Sequence, residues 1–348
     1  MSDRALIITL CMAEVLGMLG ISSFAALLPE MQAEWDLNNA DAGWITGIYF
    51  AGYLVAVPVL VGLTDRMDPR GIYLASAALG GASLLGFALI ADGFWSGLLF
   101  RTLGGVALAG TYMPGLKALT DRVAEKIRPR AVAFYTASFG IGGSLSFLIS
   151  GEVAAAWSWQ AAFAVVALGT PFSMALAGYA MTARRGVTHA KPETHLLDFR
   201  PVFRNREAMA YISAYTAHNF ELFGFRGWIV AFLVFSQSLQ PDYASWNVIL
   251  IVTVITLIAV PASVIGGELA MRYGRRRLLF TVMTASAIIA AGIGFMGSFL
   301  GPLAFGVVLD AAGADHLWGW GLAFAAMGAG VIMGPLALAL LGARPNTN

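Results

Sequence analysis

Gly62-Leu63-Thr64-Asp65-Arg66-Met67-Asp68-Pro69-Arg70-Gly71 closes one long apolar segment and turns tightly, on charged residues, into the next, which begins at Ile72. Later in the chain the device returns. Gly267-Glu268-Leu269-Ala270-Met271-Arg272-Tyr273-Gly274-Arg275-Arg276 also ends one apolar run and opens another. A chain that repeats such a turn reads as two related halves. Composition agrees: 58% of residues are hydrophobic and 12% charged, and the mean hydropathy is +0.74, outside the range of a soluble globular domain. The expected solvent is therefore a lipid bilayer. A net charge of +1 gives no footprint for nucleic acid, and the single cysteine, Cys11, excludes an intrachain disulfide.

Working outward from the two turns, segments 5–28, 42–63, 72–91, 95–116, 131–156 and 161–183 are each long enough to cross a bilayer and read as continuous helices. A cleaved leader is a poor reading of 5–28, whose apolar part is too long and carries Glu14 at its middle. Residues 1–183 thus form a six-helix bundle, and the polar stretch 184–207 reads as a cytoplasmic linker. Residues 208–348 form a second bundle with spans 208–235, 246–267, 278–309 and 318–341. The segment 278–309 has no charged residue before Asp310, so it has room for one crossing only. As a straight helix it would approach ~50 Å against a hydrocarbon core of ~30 Å, so a bend is expected between Gly292 and Pro302. The expectation is an all-α membrane protein of ten spans, six and four.

Both turns approximate G-x-x-x-D-R-x-G-R-R, which resembles the signature loop of the major facilitator superfamily of secondary transporters. They depart from it in places. Gly62 stands one residue too close to Asp65, Asp68 or Pro69 replaces the second glycine, and Met271 stands where the second copy needs an acid. The stretch Arg101-Thr102-Leu103-Gly104-Gly105 resembles a second motif of the family, an arginine before a glycine-rich helix face. The resemblance implies a two-bundle fold, twelve helices in the full form, and a solute moved by alternating access. Ten spans make this a member shortened in its second half. By the same resemblance Asp65, Arg66, Arg70, Arg272, Gly274, Arg275 and Arg276 are gating residues, pairing with helix ends rather than touching solute.

Loop charges orient the chain. All but two of the 21 Lys and Arg fall on alternate loops or at the termini, whereas the opposite loops carry only acids such as Glu30, Asp41, Asp92 and Asp310. Both termini are then cytoplasmic, in what the resemblance makes a bacterial inner membrane. Trp35, Trp44, Trp95, Trp157, Trp246 and Trp318 fall near outer span ends, where interfacial anchors belong.

The two exceptions are Arg101, in the fourth span, and Arg226, in the seventh. The seventh also holds His218 and Glu221, three residues apart and so neighbours on one helix face, while Glu14 stands in the first. Ionisable groups in a bilayer are costly and are kept where they meet water, a partner or a substrate. Histidine, with an ordinary pKa of about 6.5, suits a group that gains and loses a proton in each cycle. Two arginines against two glutamates also sum to zero, so buried structural pairs are the competing reading. The functional expectation is a proton-coupled transporter of a small polar or anionic solute, with Glu14, His218 and Glu221 carrying protons and Arg101 and Arg226 attracting the solute. Its partners are solute, protons and lipid, with no nucleic acid and no cofactor, and the family resemblance makes it a monomer. Efflux of amphipathic compounds and a non-transporting scaffold or sensor are the alternatives. No H-E-x-x-H, G-x-S-x-G or metal-ligand cluster supports an enzyme. Gly292-Ile293-Gly294-Phe295-Met296-Gly297 matches a dinucleotide fingerprint, but no strand precedes it.

Overall fold

In the computed structural model, residues 1–182, 200–239, 246–293, 300–313 and 316–331 are described. They form α1 (Asp3–Gly17), α2 (Ser23–Ala26), α3 (Leu28–Glu34), α4 (Asn39–Leu63), α5 (Pro69–Ile90), α6 (Phe94–Thr120), α7 (Arg128–Ala156), α8 (Trp159–Ala167) and α9 (Gly169–Ala180). From residue 200 onward come α10 (Arg200–Arg204), which falls inside the stretch expected to be linker, α11 (Arg206–Ser238), α12 (Val248–Tyr273), α13 (Arg275–Ile293), α14 (Leu300–Ala312) and α15 (Leu317–Val331). No strand occurs among the described residues. Among the described residues five stretches, those of α4, α5, α7 with the turn before it, α8 continued by α9, and α11, are long and apolar enough to cross a membrane. The chain is an all-α integral membrane protein.

The second to fifth expected spans each become one helix, α4 to α7. The first does not. Where a continuous helix over 5–28 was expected, α1 stops at Gly17, residues 18–22 turn, and short helices resume at Ser23 and Leu28. The sixth span also divides, at Leu168, because Pro171 has no N–H to give the Ala167 carbonyl and its ring crowds that group. Most of the 184–207 linker, and the centre of the bend expected between Gly292 and Pro302, lie outside the described residues. Among the described residues, α13 ends at Ile293 and α14 begins at Leu300.

Two compact units emerge, one made of Met1–Trp35, Ile48–Leu197 and Leu233–Val264, the other of Asp36–Gly47, Asp198–Phe232 and Ile265–Asn348. Three of their boundaries, after Gly47, Phe232 and Val264, fall inside α4, α11 and α12. The first unit has a core of Leu6, Leu10, Ala13, Tyr73, Leu119, Tyr135 and Met181, in which small residues let backbones approach. Elsewhere in this unit rings pack, with Phe87 stacked on Phe163 at 4.1 Å and Trp35 edge-on to Trp159 at 5.6 Å. In the second unit Trp228 stacks on Phe305 at 5.0 Å, and Trp320 and Phe324 close around the same ring. Trp95, Trp157 and Trp318 are 80%, 73% and 82% exposed, as anchors at helix ends must be.

Candidate functional site

The break after α1 organises the buried polar groups of the first unit. A helix that stops inside a bilayer frees backbone groups that lipid cannot satisfy, so neighbouring side chains must do so. Ser146 Oγ accepts from Ser22 N (2.9 Å), while Ser22 Oγ donates to the Gly143 carbonyl (3.1 Å). Ser150 Oγ donates to Ser23 Oγ (2.8 Å). From α9, Ser173 Oγ donates to the Ala13 carbonyl at 2.7 Å. That commits its one proton, so Tyr73 supplies the proton of the 3.0 Å bond between the two hydroxyls.

Arg101 serves the same break. It is 4% exposed on α6, and its Nη2 donates to the Ile21 carbonyl at 3.3 Å. Its guanidinium lies 4.3 Å from the centre of the Tyr49 ring, a cation–π contact, while Nε has no hydrogen-bond partner among the described residues. Arg101 and Tyr49 line a cavity of about 40 Å³ with Ser76, Ser83, Thr111 and Thr170. That is room for about one water molecule, not for a solute, which needs ~300 Å³ or more.

Glu14, three residues before the end of α1, is 1% exposed. Oε2 accepts from the Tyr135 hydroxyl at 2.8 Å, and Oε1 is buried without a hydrogen-bond partner among the described residues. Among the described residues no cation is within ion-pair distance of it, so the buried pairing with Arg101 that charge balance allowed is not formed. The residues that hold Glu14 and Arg101, Tyr135 and Tyr49, and those that bond the backbone around the break, Ser146 and Ser173, were missed in the sequence. A signal was there: Gly140-Ile141-Gly142-Gly143-Ser144-Leu145-Ser146 puts small and hydroxyl side chains on a span face where exposed backbone must be met.

In the second unit the expected trio lies on α11. His218 Nδ1 is 3.9 Å from Glu221 Oε2, with side chains 52% and 18% exposed. Arg226 is half-buried, two turns on, and makes no ion pair among the described residues. Each group of residues is thus brought together within its own unit.

The two turns are built differently. In the first, Asp68 caps α5 by accepting from Arg70 N (2.9 Å), with Pro69 at the first helical position. Lys117 Nζ lies 3.7 Å from Asp65 and 3.4 Å from Asp121, Arg122 reaches Asp68 at 4.0 Å, and Arg70 Nε donates to the Gly178 carbonyl at 3.3 Å. Arg66 is exposed. In the second, Gly274 turns the chain at φ +87°, directly before Arg275 opens α13, and Arg272 pairs with Glu268 one turn back at 3.2 Å. Arg276 is exposed. Among the described residues no group of His, Cys, Asp or Glu is arranged to hold a metal.

With the broken first helix, the paired half-turns and the buried charges in view, the family model for the Major Facilitator Superfamily matches residues 10–347. The chain belongs to that superfamily. Among its superfamily relatives, the sphingosine-1-phosphate transporter SPNS2 of Xenopus tropicalis is 23% identical over 83% of this chain and 58% of its own. The galacturonate transporter of Dickeya chrysanthemi is 30% identical over 43% of this chain and 44% of its own. The chain therefore spans about half the length of such relatives. A crystal structure of a bacterial homolog of the human lysosomal transporter Spinster, inward-facing and occupied, shares the fold. Its TM-score is 0.68 at 16% identity, covering 96% of this chain and 94% of that one.

Proposed function

We propose that this chain is a secondary transporter, not an enzyme, that moves an anionic solute by alternating access in exchange for, or together with, protons. The observation that carries the reading is Glu14. A carboxyl enclosed in a membrane span, with one oxygen bonded and the other bare, is costly as mere scaffolding and suits a group that takes up and releases a proton at the bare oxygen. His218 and Glu221 carry the proton in the second unit, and Arg226 attracts the solute. Arg101 adds positive charge, and its bond to Ile21 ties that charge to the shape of the first helix. Asp65, Arg66 and Arg70, with Arg272, Gly274, Arg275 and Arg276, time the conformational exchange.

Support for an anion comes from the relatives' names, since sphingosine-1-phosphate and galacturonate are both anions. The ten-span count, the division at the 184–207 linker, cytoplasmic termini, a bacterial inner membrane and a monomeric state belong to the same proposal. The test is flux into proteoliposomes under an imposed pH gradient, with a sugar acid, a lysophospholipid-like phosphate and a cationic dye as candidate solutes. Gradient-driven accumulation of an anion, abolished in Glu14→Gln while anion exchange persists, is the expected result. Flux of the dye alone would favour efflux of amphipathic cations, and no flux of any solute would favour a non-transporting scaffold.

A further inference from the structure

Two carboxylate–asparagine pairs close the helix ends opposite the basic turns. Asn39 begins α4, whose far end leads into the Asp65–Arg70 turn, and Asn247 immediately precedes α12, whose far end carries Arg272. The two asparagines therefore hold corresponding places in the two halves of the sequence. Each is met by an acid from a helix of the other sequence half. Asp310 of α14 accepts from Asn39 Nδ2 (2.7 Å), Asn39 N (3.3 Å) and Ala40 N (3.0 Å), all within the second unit. Glu152 of α7 accepts from Asn247 Nδ2 (2.9 Å), within the first unit. Asn247 is oriented for this, because its Oδ1 is occupied in capping Leu250 N at 2.9 Å.

Glycine lets the helices meet at both places. A Cβ on Gly306, one turn before Asp310, would lie 2.2 Å from the Asn39 carbonyl oxygen, and one on Gly151, beside Glu152, would lie 2.5 Å from the Ile249 side chain. In the first pair the carboxylate also sits on the positive end of α4. Neither pair is buried. Exposed hydrogen bonds add little to global stability, but they are well suited to a contact that must break and re-form in water.

We infer that Asp310–Asn39 and Glu152–Asn247 are a twin latch, and that both must release before the helix ends opposite the basic turns part. The inference rests on the alternating-access reading, yet its test needs no solute, so its failure and the failure of transport are separable. In a Cys11→Ser background, Thr46→Cys on α4 and Thr256→Cys on α12 place reporter thiols at sites that are 4% and 3% exposed. Asp310→Ala or Glu152→Ala should raise the rate of labelling by a charged thiol reagent about fivefold at both reporters, whichever latch is cut. A rise confined to the reporter beside the substituted pair, or no rise, would make each contact a local brace and overturn the twin latch. Should the alanine variants fold poorly, Asn39→Cys with Asp310→Cys, joined by a short thiol crosslinker, gives the opposite arm. Crosslinking should protect Thr256→Cys, on the other latch's helix, below its uncrosslinked rate, and unchanged labelling there would sink the idea.

Discussion

The first and seventh apolar segments open the two halves of the sequence and treat their ionisable groups in opposite ways. The first stops at Gly17, buries Glu14 beside the break, and has backbone groups around it bonded by side chains from α6, α7 and α9. The seventh, α11, runs unbroken from Arg206 to Ser238 and leaves His218 half open, with Glu221 of the same helix its one ion-pair partner among the described residues. A charge enclosed by bonds from several helices cannot change partner without moving them. A pair held along one helix can. On the proposed reading, the difference separates groups tied to the shape of the bundle from a pair that exchanges protons along one helix.

The sharpest way to break this comparison is to remove the His218–Glu221 pair. His218→Ala and Glu221→Gln should each abolish gradient-driven accumulation, while thermal unfolding in detergent shifts by less than about 1 kcal/mol, because a 3.9 Å contact with a half-exposed histidine contributes little to stability. Coupled accumulation that survives both substitutions would remove α11 from the proton path.

The enclosed charge should respond the other way round. Arg101→Lys keeps the charge but loses the planar group that reaches the Ile21 carbonyl and lies on the Tyr49 ring. A cost of about 2 kcal/mol is expected, read as a lowered unfolding midpoint. Arg226→Lys, at a half-buried position without an ion pair among the described residues, should cost less than about 0.5 kcal/mol. Equal costs would mean that the break in the first helix does not depend on Arg101.

Much of this was legible from hydropathy and charge alone. Period and length found α4 to α7 within a few residues, and the isolated charges Glu14, Arg101, His218, Glu221 and Arg226 stood out because a bilayer tolerates so few. The break at Gly17 did not show, since 5–28 is as apolar as a straight span. Whether the chain stays helical there is decided by what Ser146, Ser173 and Arg101 offer to the freed backbone, and those residues are more than 80 positions away. Nor could the sequence tell that Glu14 and Arg101 avoid each other. Charge balance permits the pair, and only the packing of Tyr135 and Tyr49 assigns each charge a different neighbour.

Effects smaller than at Arg101 are expected at the two charged turns, which are built with different backbone devices. The first is an N-cap. Asp68→Ala removes the acceptor of Arg70 N and should cost about 1 kcal/mol. It also takes away the acid that Arg122 approaches, but at 4.0 Å that contact adds little. The second is a left-handed glycine, and Gly274→Ala, at φ +87° with open space around the new methyl, should cost about 1 kcal/mol from backbone strain alone. Gly71→Ala separates the two devices. This glycine also has nothing within 4 Å of a new Cβ, but it lies in the first turn of α5 with no positive φ, so alanine should be neutral or stabilise by up to about 0.5 kcal/mol. Opposite signs at Gly71 and Gly274 in thermal unfolding are therefore expected. A loss at both would mean that the first turn also needs a glycine backbone, and that the two turns are more alike than Asp68 and Pro69 make them look.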